Sequence, residues 1–369
     1  MNSMTPGVFI KQNKSVNNIL EKDFATLFVT FGDKDFPKDL FSLDGFAQTL
    51  EYPFLKYYDF LYGAIDLFFA NKGKKLYILN YPIAESGNFN LLDFENFLSR
   101  SCDRLVDVDL LLAVDLYNEE IYKKRISQKT VVSIQRCINE YAKKSNRLSI
   151  TDISEDFNYD YLDVLGESVI YYPWIKDKNS LILPPSICAS ALFSHFANDF
   201  KLATSIANKD ILNVVDVAKN LEQVQKEELI KNRINPVVLV PHQGVRIWGV
   251  KTFDSTVDTV VELRVLKYIK RNLYRIAKVY IFESNTKSLA DKLVMQVDNF
   301  LFRLWERGIL AGATRDESFV VSYELEDIQQ DKSLLSIKIA VALVKPVEFI
   351  FIELNKVAQD GTQSTLSIN

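Results

Sequence analysis

Between residue 24 and about residue 205, continuous apolar runs alternate with apolar positions at helical spacing. Leu27-Phe28-Val29 and Leu76-Tyr77-Ile78-Leu79 read as strands, and Val106 to Val114 contains a third apolar strand. Phe54 to Phe69 and Phe94 to Leu98 read as helices, Val131, Ile134, Ile138 and Tyr141 recur at helical spacing, and Leu148-Ser149-Ile150 starts a further strand. Strands that are apolar on both faces and alternate with helices predict a mainly parallel sheet covered by helices, an α/β domain.

Residues 218–233, rich in Gln, Glu, Lys and Asn, read as a connector between this domain, placed at 21–217, and a second one at 234–345. The second pattern runs strand (Val237 to Val250), basic helix (Val260 to Tyr280), helix (Leu289 to Trp305), then strands at Phe319 to Tyr323, Leu334 to Leu343 and Val347 to Leu354, an α+β order. Leu289, Leu293, Val297, Phe300 and Leu304 line one face of the second helix, with Ser288-x-x-Asp291 fitting a capping box and Gly308 closing the end. Residues 1–20 read as an N-terminal arm and 346–369 as a C-terminal strand and tail, the last ten residues polar enough for disorder.

Composition changes this picture mainly by exclusion. Glycine is scarce, 12 of 369 residues, against an average of about 7%, and no GxSxG, HExxH, GxxxxGK[ST] or GxGxxG occurs, so the common hydrolase, zinc-protease and nucleotide signatures are missing. A net charge of -4 gives no bulk attraction to nucleic acid. Three cysteines without CxxC spacing support neither a disulfide framework nor a zinc site. Residues 1–12 lack a secretory signal and no apolar run reaches membrane-spanning length, so assembly in the cytoplasm is expected. Two histidines bear on chemistry. Cys188 and His195 allow a nucleophile pair to be imagined, but His195 and Asp199 at i and i+4 read better as an ordinary helix-surface pair; His242 reads as a turn residue beside a strand.

Two features remain. Arg264, Lys267, Lys270, Arg271, Arg275 and Lys278 form a cationic stripe at helical spacing, readable as a solvated face or as a candidate docking stripe for an acidic protein surface or a phosphate backbone, the near-neutral overall charge arguing against nucleic acid. Val347-Glu348-Phe349-Ile350-Phe351-Ile352-Glu353-Leu354 has six apolar side chains in eight. Such a strand must be covered, either as an ordinary last strand or by donation to a neighbour's sheet. Val8-Phe9-Ile10, tethered by a polar stretch, is a second short strand suited to the same exchange.

Several of these segments resemble the contractile tail sheath family of phage tails, R-type bacteriocins and related injection systems. Pro6-Gly7-Val8-Phe9-Ile10 is similar to its opening, and Phe68-Phe69-Ala70-Asn71-Lys72-Gly73, Tyr171-Tyr172-Pro173-Trp174 and Leu183-Pro184-Pro185-Ser186 resemble elements of its first domain. Ile234-Asn235-Pro236, Gly244 to Gly249, Val279 to Asn285 and Val297 to Ala313 resemble its second. Ile187-Cys188-Ala189-Ser190 stands where a glycine-rich stretch is usual.

The resemblance implies a subtilisin-like three-layer α/β shape without protease activity, followed by an α+β domain whose sheet is completed by strands from neighbouring subunits. It implies a non-enzymatic subunit, with no cofactor and no metal, that polymerises as stacked hexameric rings around an inner tube and contracts. Partners would be further copies of itself, the inner tube protein, and baseplate and terminator proteins, with no nucleic acid and no membrane insertion. Strand exchange would then fall to Val8, Phe9, Ile10, Val347, Phe349, Ile350, Phe351 and Ile352, with Phe319 to Tyr323 and Leu334 to Leu343 receiving. Inner-tube attachment would map by position to Glu326, Asp327, Asp331 and Lys332.

Overall fold

The structure is a computed structural model and describes residues 24–32, 36–83, 89–118, 126–157, 159, 162, 165–197, 201–253, 257–280, 283–284, 286–323, 335, 337–345, 354–357 and 363–366. Strands β1 (Ala25–Thr30) and β2 (Leu40–Leu43) are followed by two 3-10 turns, Phe46–Glu51 and Pro53–Tyr57, and then helix α1 (Asp59–Ala70). The helix expected from Phe54 therefore begins five residues later, because the turn that starts at Pro53 ends on Tyr58 in a non-helical conformation. Next come β3 (Leu76–Asn80), α2 (Leu91–Cys102), β4 (Val108–Ala113), α3 (Gln128–Lys144), β5 (Leu148–Thr151) and β6 (Val169–Tyr172). Short β7 (Ile175–Asp177) and β8 (Ile182–Leu183) lead to α4 (Ser186–Ala197), β9 (Val214–Val217), α5 (Gln223–Lys231), β10 (Ile234–Val240) and β11 (Gly244–Ile247).

The largest sheet described runs β11-β10-β6-β5-β4-β1-β3-β2. Its interior pairs, from β10 through β3, are parallel, and the edge strands β11 and β2 are antiparallel. Alternation along β1 sorts the faces: Phe28 joins a core with α1 and α4, while Leu27 and Val29 join another with α2 and α3. Burial on both faces is why these strands read as uninterrupted apolar runs.

The expected domain division needs correction. Residues 218–233 contain α5, whose start is braced by Glu222 N donating to Gln225 Oε1 at 2.9 Å, and β10 then enters the large sheet beside β6. Strands β10 and β11 belong to the first sheet, since Ile234 to Val238 are buried on both faces as a parallel strand requires. Asn235 fixes the join: its Nδ2 donates to Ile170 O and Lys251 O at 3.0 and 2.8 Å, and its Oδ1 accepts from Lys251 N at 2.7 Å. A Cβ at Gly249 would sit 2.5 Å from Asn235, so only glycine allows that approach.

Beyond this sheet lie α6 (Val260–Lys278), α7 (Lys287–Glu306), the short α8 (Arg315–Ser318), and the antiparallel pair β12 (Phe319–Ser322) and β13 (Lys338–Val341). Strands β14 (Leu354–Val357) and β15 (Gln363–Leu366) form a separate hairpin, so part of the tail expected to be disordered is paired.

Candidate functional site

Helix α6 joins the two halves of the molecule. Thr259 caps it, accepting from Glu262 N at 3.3 Å while Glu262 Oε2 accepts from Thr259 N at 3.2 Å. Val260 and Leu263 pack into the core under the large sheet, whereas Val265, Tyr268, Ile269 and Ile276 pack against α7. Between these apolar positions lie the cations of the predicted stripe, and their placement corrects it. Arg264, Lys267 and Arg271 are 1%, 6% and 8% exposed, so they face into the protein and present no docking surface.

Their carboxylate partners lie at the N-terminal ends of sheet strands. Arg264 and Arg271 share the carboxylate of Asp109, which is 1% exposed. Arg264 Nη2 also donates to Phe193 O at 2.6 Å, and Arg271 Nη1 to Val108 O at 3.4 Å. Lys267 pairs with Glu167, ahead of β6, and Arg275 Nη2 donates to Val106 O at 2.9 Å. Lys278 is half-buried. Burial lowers the pKa of Arg264 and Lys267, with Asp109 and Glu167 respectively opposing the shift. Asp109 is aimed by a register shift: Ala25 pairs with Val108 but Thr26 with Leu110, so Asp109 is the extra residue on β4.

The other half of the site is built on α7. Its N-cap is Thr286, whose Oγ1 accepts from Leu289 N at 3.3 Å; the helix already starts at Lys287, so the capping box expected at Ser288 does not form. Leu289, Leu293, Val297, Phe300 and Leu304 form the expected buried face. Gly308 ends the helix at φ 68°, and Gly312 is held at φ 111° where a Cβ would meet Ser318 N at 2.8 Å. Trp305 Nε1 donates to Gly312 O at 3.0 Å, while Arg315 pairs with Asp298 and lies over Phe319, so this turn delivers the chain into β12.

Strands β12 and β13 pair with Phe319 opposite Val341 and Ser322 opposite Lys338. Phe319, Val321, Ile339 and Val341 turn toward α7, but only Phe319 is fully buried. Val320 on the other face is 53% exposed. Among the described residues this sheet has two strands, below the three or more usually needed for independent stability. Both segments expected to receive strands are thus adjacent and antiparallel. Val8, Phe9, Ile10, Val347, Phe349, Ile350, Phe351 and Ile352, and the attachment residues Glu326, Asp327, Asp331 and Lys332, lie outside the described residues.

Cys188 is buried on α4, where Asn71 Nδ2 approaches its sulfur at 3.7 Å, and burial pushes its thiol well above the usual range. That disfavours the thiolate a nucleophile needs. His242 sits at φ 63° in the exposed β10–β11 turn.

At the opposite end of the parallel strands, Asp152 Oδ2 accepts from Ser186 Oγ at 2.6 Å, and Asp115 accepts from Phe31 N at 3.0 Å. Burial raises both carboxyls to about 7, outweighing those hydrogen bonds. Both are therefore neutral in the fold at pH 5 but ionised in the unfolded chain, so their contribution to stability declines as pH rises from about 4 to about 7. Asp152→Asn is expected to flatten that decline in urea denaturation at pH 4, 5.5 and 7, with Asp115→Asn in addition flattening it further; an unchanged pH profile in the double variant would refute the assignment.

Comparison with solved structures places the fold. The chain aligns with one in the contracted helical sheath of the anti-feeding prophage at TM-score 0.73 and 21% identity, over 97% of this chain and 100% of that one. A chain of the six-fold symmetrised baseplate of the same particle gives TM-score 0.73 at 19% identity, covering 96% and 99%. The contracted sheath complex of PVC, an extracellular contractile injection system, gives 0.70 at 18% identity, covering 98% and 99%. No curated protein sequence matches the chain. The mixed α/β architecture with its mainly parallel sheet is thus that of contractile sheath proteins, including the larger part of the chain that precedes α6. Residues 253–355, from the end of the large sheet through α6, α7 and the small sheet, match the phage tail sheath C-terminal domain family.

Proposed function

We propose that the chain is a structural subunit of a contractile sheath, polymerising helically around an inner tube in a phage tail-like particle and contracting to drive that tube through a target envelope. The observation that carries this reading is the β12–β13 pair, an incompletely covered sheet with one apolar face, inside a fold shared end to end with sheath chains. Val8 to Ile10 and Val347 to Leu354 are the strands that would complete that sheet in neighbouring copies, and Glu326, Asp327, Asp331 and Lys332 the residues that would meet the inner tube. Self-association into hexameric rings, with baseplate and terminator proteins at the ends, follows from the same reading. Work stored in the assembled polymer needs no bound nucleotide or cofactor.

A second reading has its own support, since the likeness to a chain in a baseplate structure is as high as that to the helical sheath. In that case the protein is a baseplate-proximal sheath paralogue. Electron microscopy of particles from the native source, with the chain labelled, separates the two. Label along a striated outer cylinder is expected; label confined to one ring selects the paralogue, and absence of label from any cylinder or baseplate overturns both.

A further inference from the structure

Helix α6 meets its two neighbours by different means. Toward α7 it is apolar: Val265, Tyr268, Ile269 and Ile276 share a core with the buried face of α7, and Tyr268 lies tilted against Phe300 with ring centroids 6.3 Å apart. Phe24, stacked on Tyr268 at 5.7 Å, and Ala197 and Leu202 add further apolar contact between the halves. Toward the large sheet, beyond Val260 and Leu263, the contacts are charged. Positions 264, 267, 271 and 275 recur along one face of the helix over a span of about 16 Å. Arg264 reaches Phe193 O on α4 and Asp109 on β4, and Lys267 reaches Glu167 ahead of β6. Arg271 reaches Asp109 and Val108 O, and Arg275 reaches Val106 O ahead of β4. The helix is thus held at several separate points of the sheet half.

These two kinds of contact differ in what they specify. Apolar packing tolerates rearrangement and loses uniqueness before it loses stability. Buried charges do not: sliding α6 by one turn, about 5.4 Å, parts Arg264 and Arg271 from Asp109 and Lys267 from Glu167, and leaves almost fully buried groups unpaired. In their native places such groups add little net stability, because desolvation offsets their attraction. Their effect falls on the alternatives. We propose that Arg264, Lys267 and Arg271, with Asp109 and Glu167, form an orientation key, which admits one seating of α6 on the sheet and so sets one angle between the two halves of the subunit. A repeating cylinder needs that angle to be the same in every copy. This consequence rests on the sheath reading above, while the key itself is a property of the free subunit.

The test measures distances in the full chain by electron spin resonance, between nitroxide labels at Asn96→Cys on α2 and Lys292→Cys on α7. Both positions are exposed, and a Cys137→Ser background leaves only the buried Cys102 and Cys188 as native thiols. The parent is expected to give one narrow distance. Asp109→Leu with Arg264→Met and Arg271→Leu is expected to unfold in urea near the parent but to show a second distance population of about 10%. Glu167→Leu with Lys267→Met removes the other pair and supplies the same readout should the triple variant not fold. A second or broadened distance in either variant, at an unchanged urea midpoint, supports the key. Two distances in the parent, or the parent's single narrow distance in every folded variant, overturn it and leave the network a brace only. Negative-stain microscopy of the unlabelled proteins is read separately: regular cylinders from the parent and short or irregular ones from the variants are expected. Regular cylinders from a variant with two distances overturn the link to assembly, and a parent that forms no cylinder overturns the sheath reading while the distances still judge the key.

Discussion

Asp109→Ala is expected to destabilise the subunit by about 3–5 kcal/mol, the loss seen when one partner of a buried ion pair is removed. Asp109 is the acceptor shared by Arg264 and Arg271, and all three groups are almost fully excluded from water. Without the carboxylate, two guanidinium groups remain in a low-dielectric site, where the carbonyls of Phe193 and Val108 and the face of the Phe193 ring supply no compensating full charge. Asn at position 109 keeps the shape but not the charge, so it is expected to recover little. Salt should not mask the effect, because ions screen a buried pair poorly; the deficit in urea unfolding should persist at about 1 M salt. An apolar replacement of the whole triad, Asp109→Leu with Arg264→Met and Arg271→Leu, is expected to regain most of the loss, since matched apolar packing often equals a buried ion cluster. If Asp109→Ala unfolds within about 0.5 kcal/mol of the parent, the range of ordinary surface changes, the network has no role in holding α6 to the sheet.

That network was the least legible part of the molecule in the sequence. Six cations at helical spacing look the same whether they face solvent or a carboxylate 155 residues away. Asp109 was hidden inside an apolar strand, and the register shift that turns it toward α6 depends on pairing with β1. By contrast, the strands of the large sheet were readable because burial on both faces leaves an uninterrupted apolar run. The β10 strand had that signature too; a polar segment before it invited a domain boundary, but α5 and the side chain of Asn235 carry the chain back into the same sheet.

The segments that carry the family resemblance prove to be structural staples. Asn71 donates to Leu67 O and Leu212 O at 2.9 and 3.1 Å and accepts from Leu212 N at 2.8 Å, tying α1 to a loop 141 residues away. Trp174 Nε1 donates to Ile153 O at 2.7 Å, Asn235 joins β10 to Lys251, and Trp305 secures the turn at Gly312. Trp174 and Asn235 satisfy buried backbone carbonyls that would otherwise lack partners, Asn71 does so at a half-buried loop, and Trp305 reaches an exposed carbonyl. Strands β12 and β13 were legible from short runs of β-branched residues, although only one face of the pair packs against α7.

Replacing Phe349 and Phe351 together with Asp is expected to leave a folded, monomeric subunit that forms no long polymer. The two phenylalanines lie in a segment of eight residues with six apolar side chains, and burying a phenylalanine contributes about 1.5–3 kcal/mol. Removing two from every intersubunit contact therefore weakens each by about 3–6 kcal/mol, and each carboxylate adds a desolvation penalty. A helical polymer repeats that contact at every subunit, so the loss falls on nucleation and on every step of growth. Intramolecular stability should change little, because the large sheet, α6 and α7 have their own cores. Circular dichroism and the thermal midpoint should match the parent while sedimentation shows monomer only. Deleting residues 1–12, which removes Val8 to Ile10, is expected to give the same result by vacating the other donated strand. Cylinders of normal length from either variant would show that subunits are held by side-by-side packing alone, and that the β12–β13 edge is covered within the chain that carries it.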